Sequence, residues 1–269
     1  MPTRPSISVI ICSIEPLKFA RTWMAYTQLL RDYPHEIIGI HDASSLAEGY
    51  NRGIAQAKGD LLVFSHDDIL ILDPCFADKL AARLARLDML GYVGTDRLIT
   101  ATWFGAGQPH LHGVVAHAKP GAKTLALNVY GVRHWPVAEN IQAIDGFCMA
   151  ATRACAEAIG FDAQTFDGFH LYDLDFSYSA YLAGYRLGVC CDTPIIHESA
   201  GNFGHTHLTY AERFVLKHVE RLGHTPPEAI HGGSPGRGAV FADHQALLAA
   251  WQPDLLKRAT LALQRVTAR

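Results

Sequence analysis

Short apolar runs alternate with amphipathic segments near the start of the chain. The run ISVIIC at 7–12 is rich in β-branched residues, and the runs at 36–40 and 60–65 repeat its character. Such continuous apolar runs predict strands that are buried on both faces. Apolar residues at three- and four-residue spacing separate them and predict two helices. This order predicts right-handed crossovers and a parallel, Rossmann-like sheet.

The two intervening helices have recognisable ends. The first is predicted to begin at Pro16, a position that tolerates proline, and to end before Pro34. The second is predicted to begin after a Ser44 or Ser45 cap and to end at Gly59. The spacing predicts that the first helix buries a face made of Leu17, Ala20, Trp23, Met24, Thr27 and Leu30.

The rest of the chain gives a less regular pattern. Helices are predicted over 73–90, 172–184 and 208–222, strands over 92–95, 144–152 and 186–191, and loops with short strands over 100–136. Residues 223–240 are rich in Gly and Pro and predict a loop before further helices from about residue 241. The simplest division is a domain at 1–205 with a helical C-terminal extension, 206–269, packed on it.

Composition narrows the class of protein. The chain has 269 residues, 49% hydrophobic and 18% charged, which is typical of a globular protein and excludes a disordered or coiled-coil chain. A net charge of −3 does not favour a nucleic-acid partner. No apolar stretch predicts a membrane span, and the N-terminus has no signal-peptide pattern. Six Cys without a C-x-x-C pair indicate a reduced cytoplasmic chain, with peripheral attachment to the inner face of a membrane as a second option.

Two other site types receive little support. The first predicted turn, residues 13–16, reads SIEP and lacks the Gly-rich dinucleotide fingerprint, which argues against a dehydrogenase. The chain has 15 His, including the pairs His110/His112 and His205/His207. Because no third and fourth ligand follow at metal spacing, structural zinc stays a minor alternative.

The stretch His66-Asp67-Asp68 directly follows the third predicted strand. Ligands of open α/β sheets bind beyond the carboxyl ends of the strands. Carboxylates with an imidazole suit Mn²⁺ or Mg²⁺ held together with substrate phosphates. The alternative is a solvated turn in which one of the two acids caps the next helix.

Two further positions carry candidate chemistry. Asp173 and Asp175 begin a predicted helix, where an Asp is either an N-cap or a general base. Residues two apart on a helix point roughly 200° apart, so the two acids would not share a role. His197 ends a strand-like run at 195–197, and it gains interest because a second strand end would deliver it near the first acidic cluster.

The order of these segments resembles the family-2 glycosyltransferases with the GT-A fold, in particular the branch whose metal motif reads His-Asp-Asp. The segments that carry the resemblance are ISVIIC (7–12), IHDASS (40–45), GYNRGIAQAKGDLLVFSHDD (49–68), DGFCMA (145–150), FDGFHLYDLDFSYSAYLAGYRLGV (166–189) and IIHESAG (195–201). The resemblance implies an α/β, mainly parallel central sheet flanked by helices. It also implies inverting, metal-dependent transfer of a hexose.

The resemblance implies that the donor is a nucleotide-diphosphate sugar, with a UDP-sugar as the first expectation. It implies that the metal ion is Mn²⁺ or Mg²⁺. The acceptor would be a glycan, a lipid-linked molecule or a protein, and a homo-oligomer is compatible with this class. The resemblance implies that Asp42 recognises the base, Asn51 borders the nucleotide pocket, His66, Asp67 and Asp68 form the metal motif, Gly146 lines the acceptor cleft, Asp173 is the catalytic base and His197 is the distal metal ligand.

The sequence departs from the family pattern at two of these positions. His66 stands where the motif has its first Asp, so Asp67 would share the metal and donor contacts. Tyr172 stands where many members have Glu before the catalytic base. The first departure concerns the metal motif, and the second lies next to the proposed catalytic base.

Two rival functions stay open. A sugar nucleotidyltransferase would need a Gly-rich, basic loop after the first strand, which 13–16 do not supply. A non-catalytic nucleotide-sugar-binding module would tolerate loss of Asp173.

A separate hypothesis concerns residues 199–240. The glycines of this stretch and Arg237 suit a lid over a diphosphate, and the alternative is a plain connector.

Overall fold

A computed structural model describes residues 4–118, 124–199, 204–222 and 236–251, with the side chains of 236–239 outside the description. Its strands are β1 (Ile7–Cys12), β2 (His35–Ile40), β3 (Leu61–Ser65), β4 (Ile69–Ile71), β5 (Met89–Gly91), β6 (Val93–Thr95), β7 (Leu111–Ala118), β8 (Leu125–Gly131), β9 (Val137–Glu139), β10 (Ala143–Ile144), β11 (Cys148–Thr152), β12 (Leu187–Cys190), β13 (Ile195–His197) and β14 (Gly236–Phe241). Its helices are α1 (Pro16–Leu29), α2 (Leu46–Gln56), α3 (Phe76–Leu84), α4 (Arg153–Ile159), α5 (Tyr172–Leu182), α6 (His205–Lys217), α7 (Val219–Leu222) and α8 (His244–Ala250).

The central sheet has the order β2-β1-β3-β11-β5-β12-β9. Strand β1 is parallel to β2 and β3, and β12 is parallel to β5, whereas β11 and β9 run antiparallel to their neighbours. The crossovers through α1 and α2 make the first three strands the parallel half that the apolar runs predict. The expected α/β class, a central sheet flanked by helices, is confirmed.

A second sheet is built around β7, with the order β10-β6-β7-β13-β4 and with β8 and β14 beyond β7. Strand β7 has 8 residues and β8 has 7, so the prediction of short strands and loops over 100–136 understates the strand content of this region. The sequence of β7, LHGVVAHA, is neither alternating nor continuously apolar. Pairing with β6, β8 and β13 holds it extended instead.

Two predicted element boundaries are wrong. The helix predicted over 73–90 ends at Leu84, and Met89–Gly91 forms β5 because it is buried between β11 and β12. The Gly-rich stretch before residue 241 contains β14, which pairs with β8 although its composition predicts a loop. The C-terminal extension is therefore not purely helical. No helix in the described ranges has the length and apolar character that crossing a bilayer requires.

Helix α1 buries a different face from the predicted one. Leu30, just beyond it, is buried as expected, but Leu17, Trp23 and Met24 are 86%, 44% and 66% exposed. The buried residues of the helix are Thr22 and Tyr26. Both faces carry apolar side chains at helical spacing, so periodicity alone does not choose between them. Contacts with the ends of other strands select the buried face. One of them is the hydrogen bond from the Thr22 hydroxyl to the Asp67 carbonyl at 2.8 Å.

Substitutions on the two faces of α1 should differ in their effect on the free energy of unfolding. Met24→Lys should change it by less than about 0.5 kcal/mol, as for other exposed positions. Tyr26→Ala should lower it by about 3–5 kcal/mol, because the fully buried ring would leave a cavity. Urea unfolding of the two variants and the parent chain measures both values. A large loss in Met24→Lys would show that the exposed face is covered in solution.

Candidate functional site

A carboxylate and two imidazoles meet beyond the carboxyl end of β3. His66 follows this strand, and its backbone N–H donates to the Phe147 carbonyl at 3.0 Å. Asp68 directly precedes β4, and the antiparallel pairing of β4 with β13 sets His197 opposite Ile69. The second sheet therefore delivers His197 to the first acidic cluster, as the sequence pattern suggests.

The three side chains lie within reach of a single ion. Asp68 Oδ1 is 3.3 Å from His197 Nε2 and 3.9 Å from His66 Nδ1. One ligand atom from each of the three residues lies within 4.8 Å of the other two. The side chains of Asp68 and His197 are 14% and 9% exposed. The Ser199 hydroxyl also lies 2.9 Å from His197 Nε2.

The protonation states favour metal binding. Burial by itself would raise the pKa of Asp68, but the neighbouring imidazoles of His197 and His66 outweigh it and hold this pKa well below its usual range. Burial lowers the pKa of His66, and the nearby His197 lowers it further. At neutral pH the pair thus offers an ionised carboxylate and a neutral imidazole, the forms that bind metal ions.

One buried atom tests whether these residues fit an ion. Asp68 Oδ1 is buried, and no donor in the described part of the chain makes a well-formed hydrogen bond to it. A buried carboxylate oxygen without a donor is costly unless a cation compensates it. With imidazole nitrogen and carboxylate oxygen as donor atoms, the group fits a divalent ion such as Mn²⁺. Within the described ranges no other group of three His, Cys, Asp or Glu side chains reaches ligand distance.

Asp67 points away from this group. Its Oδ2 accepts a hydrogen bond of 2.6 Å from the Ser13 hydroxyl, and its carbonyl accepts one from Thr22. Asp67 therefore joins the end of β3 to the turn after β1 and to α1.

Asp42 and Asn51 lie at the neighbouring strand end and on the helix that follows. The Asp42 carboxylate is 78% exposed and pairs with Arg52, whose hydrogen bond lowers the pKa of Asp42. The Asn51 amide donates to the Phe161 carbonyl at 2.7 Å and accepts from the Phe161 N–H at 2.9 Å. Asn51 thereby fastens α2 to the segment around Phe161.

Asp173 is the second residue of α5, whose N-cap is Leu171. Its Oδ2 accepts a hydrogen bond of 2.7 Å from the Gly146 N–H. A Cβ on Gly146 would lie 2.5 Å from the Asp173 Cβ, so glycine is needed for this approach. Burial and then the charge of Asp145 raise the pKa of Asp173 to about 7. Asp175 points elsewhere: it is buried and pairs with Lys217 of α6 and with His218, which caps that helix.

Two residues beside Asp173 were not predicted as site residues. Asp145 is half-buried and accepts hydrogen bonds from Trp103 Nε1 at 2.9 Å and from the Phe147 N–H at 3.2 Å. The Tyr172 hydroxyl lies 2.8 Å from His66 Nε2. The sequence shows the motifs Asp145-Gly146 and Tyr172-Asp173, but nothing in these motifs indicates that the Tyr172 side chain reaches His66.

The remaining candidates lie apart from this group. Asp96 accepts hydrogen bonds from the His110 and His112 rings at 2.7 and 2.8 Å, so this pair shares a carboxylate. Arg237 is in β14 opposite Asn128, and its side chain lies outside the described residues. Most of the lid hypothesis falls on 200–203 and 223–235, which are also outside them.

Comparison with known proteins adds a family and a fold. A family model described as "Glycosyltransferase like family" matches residues 8–218. No curated protein sequence matches the chain.

Solved structures match over most of the chain at low identity. A mannosyltransferase of Pyrobaculum calidifontis, in complex with GDP-Man and Mn²⁺, is 13% identical with a TM-score of 0.51. The match covers 99% of this chain and 76% of that one. GalNAc-T7 with UDP, GalNAc and Mn²⁺ is 11% identical with a TM-score of 0.53, covering 80% of this chain and 48% of that one. At this identity the likeness shows the fold, which is GT-A.

Proposed function

The chain belongs to the glycosyltransferase-like family whose model covers residues 8–218, and from this we propose that it transfers a sugar from a nucleotide-diphosphate sugar to an acceptor hydroxyl. The transfer is metal-dependent and inverts the anomeric centre. The observation that carries the proposal is the group His66, Asp68 and His197, with its buried Asp68 oxygen, at the sheet edge where ligands of α/β folds bind.

The ligand chemistry of the fold relatives supports the donor class. The mannosyltransferase was solved with GDP-Man and Mn²⁺, and GalNAc-T7 with UDP, GalNAc and Mn²⁺. We extend this to a nucleotide diphosphate and Mn²⁺ here, with UDP as the proposed nucleotide. Asp42, exposed at the end of β2, would contact the base, and Asn51 would shape the pocket wall through its bonds to Phe161. Arg237 is proposed to pair with the diphosphate.

His66, Asp68 and His197 would hold the ion, with Asp67 bracing the turn that carries them. A bound divalent ion would neutralise the negative charge that develops on the departing diphosphate.

Asp173 acts as the general base in this mechanism. The Gly146 N–H orients its carboxylate, which accepts the proton of the acceptor hydroxyl as that oxygen attacks the anomeric carbon. The sugar–phosphate bond breaks on the opposite face, so one displacement inverts the anomeric centre. The acceptor is proposed to be a glycan, a lipid-linked molecule or a protein that approaches along Gly146.

Ligand binding and turnover test the proposal separately. Mn²⁺ alone should raise the melting temperature, and UDP or GDP should raise it further only when Mn²⁺ is present, because the ion and the diphosphate bind together to the native state. NMR of the product formed from an α-linked UDP-sugar should show a β linkage. Retained configuration would reject inversion. No rise with UDP or GDP beyond that of Mn²⁺ alone would reject the donor class.

The pH dependence of transfer should follow the ionisation of the Asp173 carboxyl group. A general base works only when ionised, so kcat/KM should rise with pH through the raised pKa of about 7 and then level off. The charge of Asp145 contributes to this raised pKa, so Asp145→Asn should move the rise to lower pH. Profiles of both proteins from about pH 5 to 9 measure this. A rise that stays in place, or moves to higher pH, would contradict the role of Asp145.

A further inference from the structure

The His66 imidazole is held between two groups on opposite sides. Its Nε2 lies 2.8 Å from the Tyr172 hydroxyl, and its Nδ1 faces Asp68 Oδ1 at 3.9 Å. The first distance is a good hydrogen bond, whereas the second is too long for one. A proton on Nε2 therefore gains a partner, whereas a proton on Nδ1 would gain none from Asp68.

The Gly146 carbonyl is the second polar neighbour of the Tyr172 hydroxyl, which donates a long hydrogen bond of 3.5 Å to it. A carbonyl only accepts, so a hydroxyl proton directed at Gly146 leaves the Tyr172 oxygen free to accept from His66 Nε2–H. In the arrangement that keeps Nδ1 unprotonated, His66 Nε2–H donates to Tyr172 and the Tyr172 O–H donates to the Gly146 carbonyl.

The backbone around Gly146 serves both halves of the site. Its N–H donates to Asp173 and its carbonyl accepts from Tyr172. A Cβ there would lie 2.6 Å from the Tyr172 hydroxyl, so only glycine leaves room for this contact. The tyrosine ring is also closely packed, since it is 3% exposed and lies 5.7 Å from the ring of Tyr50 and 6.1 Å from that of Phe161.

We propose that Tyr172 is a positioning residue for the metal site: its hydroxyl, aligned by the Gly146 carbonyl, holds His66 with Nε2 protonated, so that the unprotonated Nδ1 faces Asp68 and His197 as the ligand atom. This inference rests on the metal-dependent function proposed above. Metal-binding histidines usually donate their second N–H to an outer partner, and losing that partner costs about 10–100-fold in metal affinity. The Tyr at this position and the His in the metal motif thus act as a pair.

The test removes only the hydroxyl. Tyr172→Phe should weaken binding of Mn²⁺ alone by about 10–100-fold, measured by electron paramagnetic resonance of free Mn²⁺. In a His66→Asp background the same substitution should have no effect, because a carboxylate has no second ring nitrogen to orient. Tyr178→Phe is the matched control: it lies on the same helix, but its ring packs against His218 and Phe214.

A second measurement does not depend on the ion. Nitrogen-15 NMR of the metal-free chain, with the His66 signals identified by their loss in His66→Asp, should show the Nε2–H form in the parent. Tyr172→Phe should shift these signals towards a mixture of both forms. Unchanged His66 signals, an unchanged Mn²⁺ affinity, or an equal loss in the His66→Asp background would each overturn the proposal. If the parent itself binds no Mn²⁺, the proposed metal site and this inference are both rejected. A loss of Mn²⁺ affinity that is confined to Tyr172→Phe leaves the proposed metal site of the parent standing.

Discussion

Asp173→Asn should lower kcat for transfer by about 10²–10⁴-fold, the usual contribution of a general base. The amide keeps the shape of the side chain, and its oxygen can still accept the hydrogen bond that Gly146 N–H donates to Asp173. What it loses is the ability to take a proton. Donor affinity, measured by calorimetry with UDP and Mn²⁺, should therefore stay at the parent value while turnover falls.

The structure makes this substitution more decisive than the sequence does. An N-cap is nearly as stable with Asn as with Asp, so a purely capping Asp173 would predict an active Asn variant. In the structure the N-cap is Leu171, and Asp173 lies two residues further on, with its carboxylate against Gly146. Glu157→Gln, on the exposed part of α4, is the control for a charge lost elsewhere. Turnover near the parent level in Asp173→Asn would reject the catalytic role of Asp173.

The parallel half of the fold and the location of the site follow from the sequence for a common reason. Strands buried on both faces have continuous apolar runs, and the turns that follow them must lie at one edge of the sheet. This places His66 and Asp68 correctly, because they come directly after β3. His197 also ends a short apolar strand, although the pairing of this strand with β4 is a contact between distant parts of the chain.

The wrong or missed predictions concern features that depend on contacts with neighbouring elements of the fold. Helix α1 has apolar residues on both faces, and only tertiary contacts select the Tyr26 face over the Leu17 face. Strand β7 contains His and Gly between its apolar residues, so its extended form depends on its three partner strands. The Tyr172–His66 hydrogen bond joins side chains 106 positions apart, and their directions cannot be deduced from the order of residues.

Asp68→Ala should abolish the stabilisation of the chain by Mn²⁺. In the parent, an ion at about 100 times its dissociation constant would stabilise the native state by about 2.7 kcal/mol. For a chain of this size each kcal/mol is worth about 2–4 °C, so the melting temperature of the parent should rise by several degrees. Without Asp68 the two imidazoles remain, but the only charged ligand of the group is gone.

The loss in Mn²⁺ affinity should be at least about 100-fold, the upper end of what outer partners contribute. Because the diphosphate and the ion bind together in the proposed site, metal-dependent affinity for UDP should fall with it. Asp32→Ala is the matched control, since this carboxylate is 70% exposed and pairs only with Arg31 among the described salt bridges. Melting curves and calorimetry with and without Mn²⁺ compare the three proteins. If Asp68→Ala keeps the Mn²⁺ shift of the parent, the ion binds elsewhere, and the buried Asp68 oxygen needs another explanation.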